Sequence, residues 1–179
     1  SLAERLWQSR RDGGNVVVAE DETPKTIDEA IAIQRAAIEC SGMRSIGFKV
    51  GSTSAEAQKV LKTNEPGASP VLSGFFHTSP ATISIVPAHG PAVEGEFALR
   101  IGEDLPARDT EYSFEEVFQA IDGVAAAIEV VGTRLAGGLV GKGRLLTTMD
   151  FGANIALVIG KFSTTWKDFD LAAHEVILS

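Results

Sequence analysis

The sequence predicts an α+β protein built around a mainly antiparallel or mixed sheet, and three observations lead there. Two helical stretches open on capping-box pairs, Thr26 with Glu29 and Ser113 with Glu116. Short apolar runs rich in Val, Ile and Phe, several of them alternating, recur from residue 16 to residue 178. Helices and strands do not alternate along the chain as a doubly wound parallel sheet would require.

Each element has its own local reason. After Thr26, the residues Ile27, Ala30, Ile31, Gln34 and Ile38 fall at helical spacing, and Gly42 is a natural stop. A shorter helix is expected over residues 54–62, with Ala57, Val60 and Leu61 on its apolar side. In the third, Phe114, Val117, Phe118 and Ile121 follow the i, i+3, i+4, i+7 pattern behind Ser113. Strands are expected over residues 16–19, 46–50, 82–86, 93–101, 124–131, 155–159 and 175–178. No repeat, low-complexity tract or linker divides residues 1–179, so a single domain is expected. A strand at 175–178 with nothing after it should lie at an edge or pair with another chain, which reads as the N-terminal portion of a longer protein.

Composition narrows the function. The chain has 179 residues, 44% of them hydrophobic, enough for a substantial core. Asp and Glu outnumber Lys and Arg by 24 to 16, and the net charge of -8 argues against nucleic acid and anionic membranes as partners. A cation that offsets acidic ligands suits this balance better. Cys40, the one cysteine, has no partner for an internal disulfide and points to a reducing, cytoplasmic setting. No apolar run approaches the roughly 20 residues of a membrane helix, and residues 1–11 are too charged for a secretory leader.

Three carboxylates stand out. Glu94 and Glu96 lie two apart in a strand, so both project from one face, where their charges repel unless something stands between them. Glu129 lies inside the apolar run Val124-Ala-Ala-Ala-Ile-Glu-Val-Val131, where a bare carboxylate is costly or stays protonated. Three such oxygen donors suit Mg²⁺ or Mn²⁺. Spacing alone leaves an ordinary reading open: a solvated edge for Glu94 and Glu96, and an ion pair of Glu129 with Arg134 or Lys142. Lys49, between Gly47 and Gly51 in an apolar strand, is either a desolvated proton carrier or a lysine that snorkels to solvent. His77, His89 and His174 lack any paired zinc-ligand spacing and read as surface residues. The Gly137 to Lys142 segment fails the phosphate-loop pattern at both ends, because Ala136 stands for its first glycine and Gly143 for its hydroxyl residue. It reads as a loop beside the Glu129 strand. Cys40 has no placed base and no nucleophilic role.

Three blocks in order, Gly47-Phe-Lys-Val-Gly-Ser-Thr-Ser54, Val93-Glu-Gly-Glu-Phe-Ala98 and Ala127-Ile-Glu-Val-Val131, resemble the signature segments of the fumarylacetoacetate hydrolase superfamily. Within it they are most similar to the 2-keto-4-pentenoate hydratase and 4-oxalocrotonate decarboxylase group. The resemblance implies a twisted mixed β-sheet in a barrel-like roll with peripheral helices. It implies Mg²⁺ or Mn²⁺ on Glu94, Glu96 and Glu129, and Lys49 as the residue that moves or steadies a proton. The implied activity is a metal-dependent hydratase, or decarboxylase, acting on a small 2-keto acid in aromatic catabolism, in a homo-oligomer. Cleavage of acylpyruvates and a catalytically silent metal- or keto-acid-binding subunit are the alternatives. Three places depart from the family pattern: Glu65-Pro66-Gly67 lacks the following acid, Gly132 stands for an Asp, and Asp150-Phe-Gly-Ala-Asn154 replaces an Asp-Asn block.

Overall fold

The structure, a computed structural model, describes residues 1–178. In chain order the elements are α1 (Leu2–Asp12), α2 (Ile27–Ser41), β1 (Ser45–Gly51), α3 (Ala55–Leu61), β2 (Gly67–Leu72), β3 (Phe76–Thr78), β4 (Ala92–Ile101), α4 (Phe114–Ala120), β5 (Ile121–Val131), α5 (Gly143–Met149) and β6 (Asn154–Ile159). The class is α+β, as expected. β1 and β2 form an antiparallel pair, and a mixed sheet runs β3-β6-β5-β4, with β3 parallel to β6 and the other pairs antiparallel. The four-stranded sheet is open rather than closed on itself, and β4 is one of its edges. No helix among the described residues is long and apolar enough to cross a membrane.

Local signals explain most of this. Thr26 caps α2 by accepting from the Glu29 amide at 3.2 Å. The Glu29 carboxylate reaches one residue beyond the expected partner, to the Lys25 amide. Ser54 caps α3, and Ser113 with Glu116 closes a full capping box on α4. The main core joins α1, α2 and α5 through Leu2, Leu6, Trp7, Ala30, Ala37, Met149 and Phe151, all buried. A smaller cluster of Ile121, Val124 and Trp166 packs where α4 meets β5.

Three expected strands did not form. In 16–19 only Val16 makes a bridge, to Leu135. Residues 82–86 are extended without a ladder; Ile83 and Val86 line a cavity and Ile85 is exposed. Residues 175–178 carry no strand either, and Val176 lies against Gly95 of β4. Strand composition alone does not make a ladder, and among the described residues these segments form none. Conversely, α1, β2, β3 and α5 are additions to the expected elements. Ser1 and Glu4 make a capping box in front of Leu2, Ala3, Leu6 and Trp7, a helical stripe hidden among charges. β2 contains Pro70, which is accommodated because a two-stranded ribbon leaves each strand an outward edge.

Candidate metal centre

β4 and β5 pair in a register that sets Glu94 directly opposite Glu129, and Glu96 opposite Ala127. Directly opposed residues share a face of the sheet, and so do residues two apart. All three carboxylates therefore meet, and one oxygen from each lies within 4.8 Å of the other two. Glu129 is buried, whereas Glu94 and Glu96 are exposed on the edge strand.

The electrostatics of this cluster are unfavourable on their own. Loss of hydration pushes the Glu96 carboxyl above the ordinary 4.5, and repulsion from Glu129 and then Glu94 pushes it further, against the pull of Lys49. Oxygens on one octahedral Mg²⁺, with bonds of about 2.1 Å, stand roughly 3–4 Å apart. The observed spacing is close to that, so the donor set fits a hard divalent cation in both chemistry and reach.

Lys49 comes from the other sheet. Its Nζ lies 3.4 Å from Glu129 Oε2, and its side chain is 13% exposed, so it does not snorkel to bulk solvent. Two glycines clear its path. A Cβ at Gly152 would stand 2.4 Å from Ser69 Oγ and 3.2 Å from Lys49 Cε, and a Cβ at Gly51 would stand 3.4 Å from Lys49 Nζ. Gly152 also has φ +63, between Phe151 at 55 and Ala153 at 63. This left-handed turn is strained at its two non-glycine residues, an arrangement that persists only where the surroundings enforce it. A cavity of about 470 Å³ opens beside Lys49 and Glu94. Val60, Leu61, Leu139 and Val140 give it apolar walls, and Arg144, Thr147 and Thr148 give it polar ones. The 137–142 segment thus borders the cavity, with Lys142 tied back to the Ala136 carbonyl at 2.7 Å.

The ordinary ion pairs considered for Glu129 are absent. Arg134 instead forms a fully buried pair with Asp150, Nε to Oδ1 at 2.6 Å. Thr133 Oγ1 and the Arg134 amide also donate to Asp150. Glu129 Oε1 accepts from Asn154 Nδ2 at 2.9 Å. Asn154 Oδ1 in turn accepts from Arg10 Nη2 at 3.0 Å. Asn154 closes the block that departs from the Asp-Asn pattern, with no role read from it there, and Arg10 did not stand out in the sequence, although it follows Leu6 by one helical turn on the buried face of α1. Burial, then Arg134, lowers the Arg10 pKa well below its usual value, while Asp150 and Glu129 oppose this.

The histidines need one correction. His89 is buried, 4% exposed, with Nε2 2.9 Å from the Gly14 carbonyl; burial lowers its pKa despite that bond. It serves the fold rather than the cluster. At Gly132, a Cβ would stand 2.6 Å from Ile155 Cδ1 and 2.7 Å from the His89 carbonyl oxygen, so the Asp of the family pattern has no room here.

No protein-family model matches the chain. It is 34% identical over 139 residues to a 2-keto-4-pentenoate hydratase of Paraburkholderia xenovorans strain LB400, across 75% of this chain and 51% of that protein. A 2-hydroxyhexa-2,4-dienoate hydratase of Comamonas testosteroni is 28% identical over 183 residues, 98% of this chain and 67% of that one. The chain spans about half the length of the first of these curated relatives. In fold it is similar to 4-oxalocrotonate decarboxylase from Pseudomonas putida G7, complexed with magnesium and adipate, with a TM-score of 0.79 at 20% identity over 95% of this chain and 65% of the other. A second structure of that decarboxylase, complexed with calcium and acetate, gives 0.78 at 18% identity over 95% and 64%. In sequence the chain is thus similar to 2-keto-4-pentenoate hydratases, and it shares the fold of 4-oxalocrotonate decarboxylase.

Proposed function

We propose that Glu94, Glu96 and Glu129 hold one Mg²⁺ or Mn²⁺, and that the chain acts as a metal-dependent hydratase of small 2-keto acids of the 2-keto-4-pentenoate type. The observation that carries this is the convergence of three like charges from two strands, with a lysine from a second sheet. When bound, the cation supplies Lewis acidity toward the keto and carboxylate oxygens of such an acid. The protein's own groups do the rest. Lys49 Nζ, against Glu129 and largely shielded from bulk water, moves the proton at the carbon next to the keto group. Val60, Leu61, Leu139 and Val140 give the short hydrocarbon tail an apolar wall to lie against. The relatives' names supply the substrate type, and their hydratase activity makes hydration the favoured reaction over decarboxylation.

The reading includes a cytoplasmic homo-oligomer and, at family level, a barrel-like roll formed by a single domain. Supporting the oligomer, β4 is an edge strand with Val93, Leu99 and Ile101 about half exposed, and Phe48 of β1 is 70% exposed. The test is consumption of 2-hydroxypenta-2,4-dienoate, followed by its ultraviolet absorbance, by purified protein with Mg²⁺. Turnover that stops on chelation and returns with Mg²⁺ supports the proposal. Metal binding without turnover would leave a silent binding subunit, and the hydratase reading would fall.

A further inference from the structure

Behind the cluster lies a buried chain of donors that the hydratase reading does not use. Asn154, 1% exposed, sits at the start of β6 between Glu129 and Arg10. Its amide orientation follows from chemistry. A guanidinium has no acceptor, so the amide oxygen faces Arg10 Nη2 at 3.0 Å and the NH₂ is left for Glu129 Oε1 at 2.9 Å. The Asn154 backbone is clamped as well, its carbonyl accepting from Arg10 Nη1 at 2.7 Å and Arg134 Nη1 at 2.8 Å. Arg10 is itself fixed between two rings, with Cζ 4.0 Å from the Phe75 centroid and 4.6 Å from that of Phe151.

Arg10 differs from its neighbour in one respect. Arg134 has a carboxylate partner in Asp150, whereas no carboxylate among the described residues lies within salt-bridge distance of Arg10. Its hydrogen bonds go to the Asn154 and Ile155 carbonyls and the Asn154 amide, all neutral. A buried cation without a paired anion is expensive unless a negative charge lies close by. Two anions lie near: Asp150, already paired with Arg134, and Glu129, which Arg10 reaches through one amide. With Lys49 beside Glu129 and Arg10 behind Asn154, the three carboxylates, a divalent cation and one substrate carboxylate sum to neutrality.

We propose that Asn154 is a positioning residue for Glu129, oriented by Arg10, so that Oε1 is held by the amide and Oε2 is turned toward Lys49 and the metal. The inference rests on the metal-site reading. It makes α1, through Arg10, part of the metal centre's support although no α1 residue is among the three ligands.

Mn²⁺ titration of the full chain by calorimetry separates the two claims, with thermal unfolding recorded for every variant. Asn154→Leu should weaken Mn²⁺ binding by roughly 10- to 100-fold, the usual loss when a ligand's hydrogen-bond support is removed. Arg10→Met should weaken it in the same direction, and the double variant should be no weaker than Asn154→Leu alone, because Arg10 acts through the amide. Trp166→Leu, in the second core cluster, controls for lowered stability and should bind within about twofold of wild type. Wild-type binding retained by Asn154→Leu, or additive losses in the double variant, would overturn the relay and leave the metal site standing. Absence of Mn²⁺ binding by the wild type would overturn the metal reading and the relay with it. If Asn154→Leu does not fold, a crystal structure of the Mn²⁺-loaded wild type decides: the amide within hydrogen-bond distance of Glu129 supports the proposal, and an amide turned away overturns it.

Discussion

At the scale of single residues, the cluster sets function against stability. Opposed like charges on paired strands destabilise a sheet, so Glu94→Gln should raise the stability of the metal-free protein, by about 0.5–1 kcal/mol. The same change should weaken Mn²⁺ binding by at least about tenfold, as expected for a lost anionic ligand. Denaturant unfolding with and without Mn²⁺ reads both; destabilisation of the metal-free protein would contradict the picture of unrelieved repulsion. Glu96 fixes the sign of a pH effect. Its carboxyl is raised above 4.5, so the metal-free fold gains proton-linked stability at low pH and loses it as pH rises through the raised value. Metal binding requires the carboxylate and should strengthen across that same window, a trend that titrations at stepped pH values above 4.5 would show. Lys49→Met keeps the stem and removes the ammonium beside Glu129. Solvent-proton exchange into pyruvate or 2-oxopentanoate, followed by NMR with Mg²⁺ present, should slow by about 10²-fold or more while Mn²⁺ binding holds or tightens. Unchanged exchange would mean that Lys49 carries no proton.

At the scale of elements, the left-handed turn at 151–153 joins the core to the site. Asp150, fully buried, holds the turn's entrance through Arg134 and Thr133, and Gly152 lets Ser69 and Lys49 pass. Asp150→Ala leaves the Arg134 charge buried and unpaired, and should lower stability by about 3–5 kcal/mol in urea unfolding. A loss below about 1 kcal/mol would mean that the pair is not what fixes the turn. The same region shows what the sequence carried and what it did not. β4 and β5 were legible because their alternation and apolar run are long, and the same-face placement of Glu94 and Glu96 follows from strand geometry alone. The cross-strand meeting with Glu129 depends on register, which no local pattern contains. α2, α3 and α4 announced themselves through Thr26, Ser54 and Ser113. α1 carried an equal signal in Ser1 and Glu4, masked by its arginines, one of which turned out to be buried. Residues 82–86 and 175–178 have strand composition but, among the described residues, no ladder partner, a property of the fold rather than of the segment.

At the scale of the whole molecule, two small sheets contribute to one site: β4 and β5 bring the acids, and β1 brings Lys49. The faces turned away from it are unusually apolar, with Ile46, Phe48 and Val50 exposed on β1 and Val93, Leu99 and Ile101 on the β4 edge. Isolated exposed apolar residues are ordinary, but rows along a strand mark association surfaces. Light scattering should therefore return a mass above the 18.9 kDa of one chain, and Phe48→Lys should lower it. A single-chain mass across the concentration range would contradict the homo-oligomer. The net charge of -8 is not spread evenly in its consequences, since three of the acids meet at one point, where Lys49, Arg10 behind Asn154, and whatever cation enters relieve them. That entry is the central claim, and anomalous diffraction at the manganese edge from crystals soaked in MnCl₂ tests it most directly. The expected result is one strong peak at bonding distance from carboxylate oxygens of Glu94, Glu96 and Glu129; a map with no peak there, or with manganese bound only elsewhere, would contradict the account.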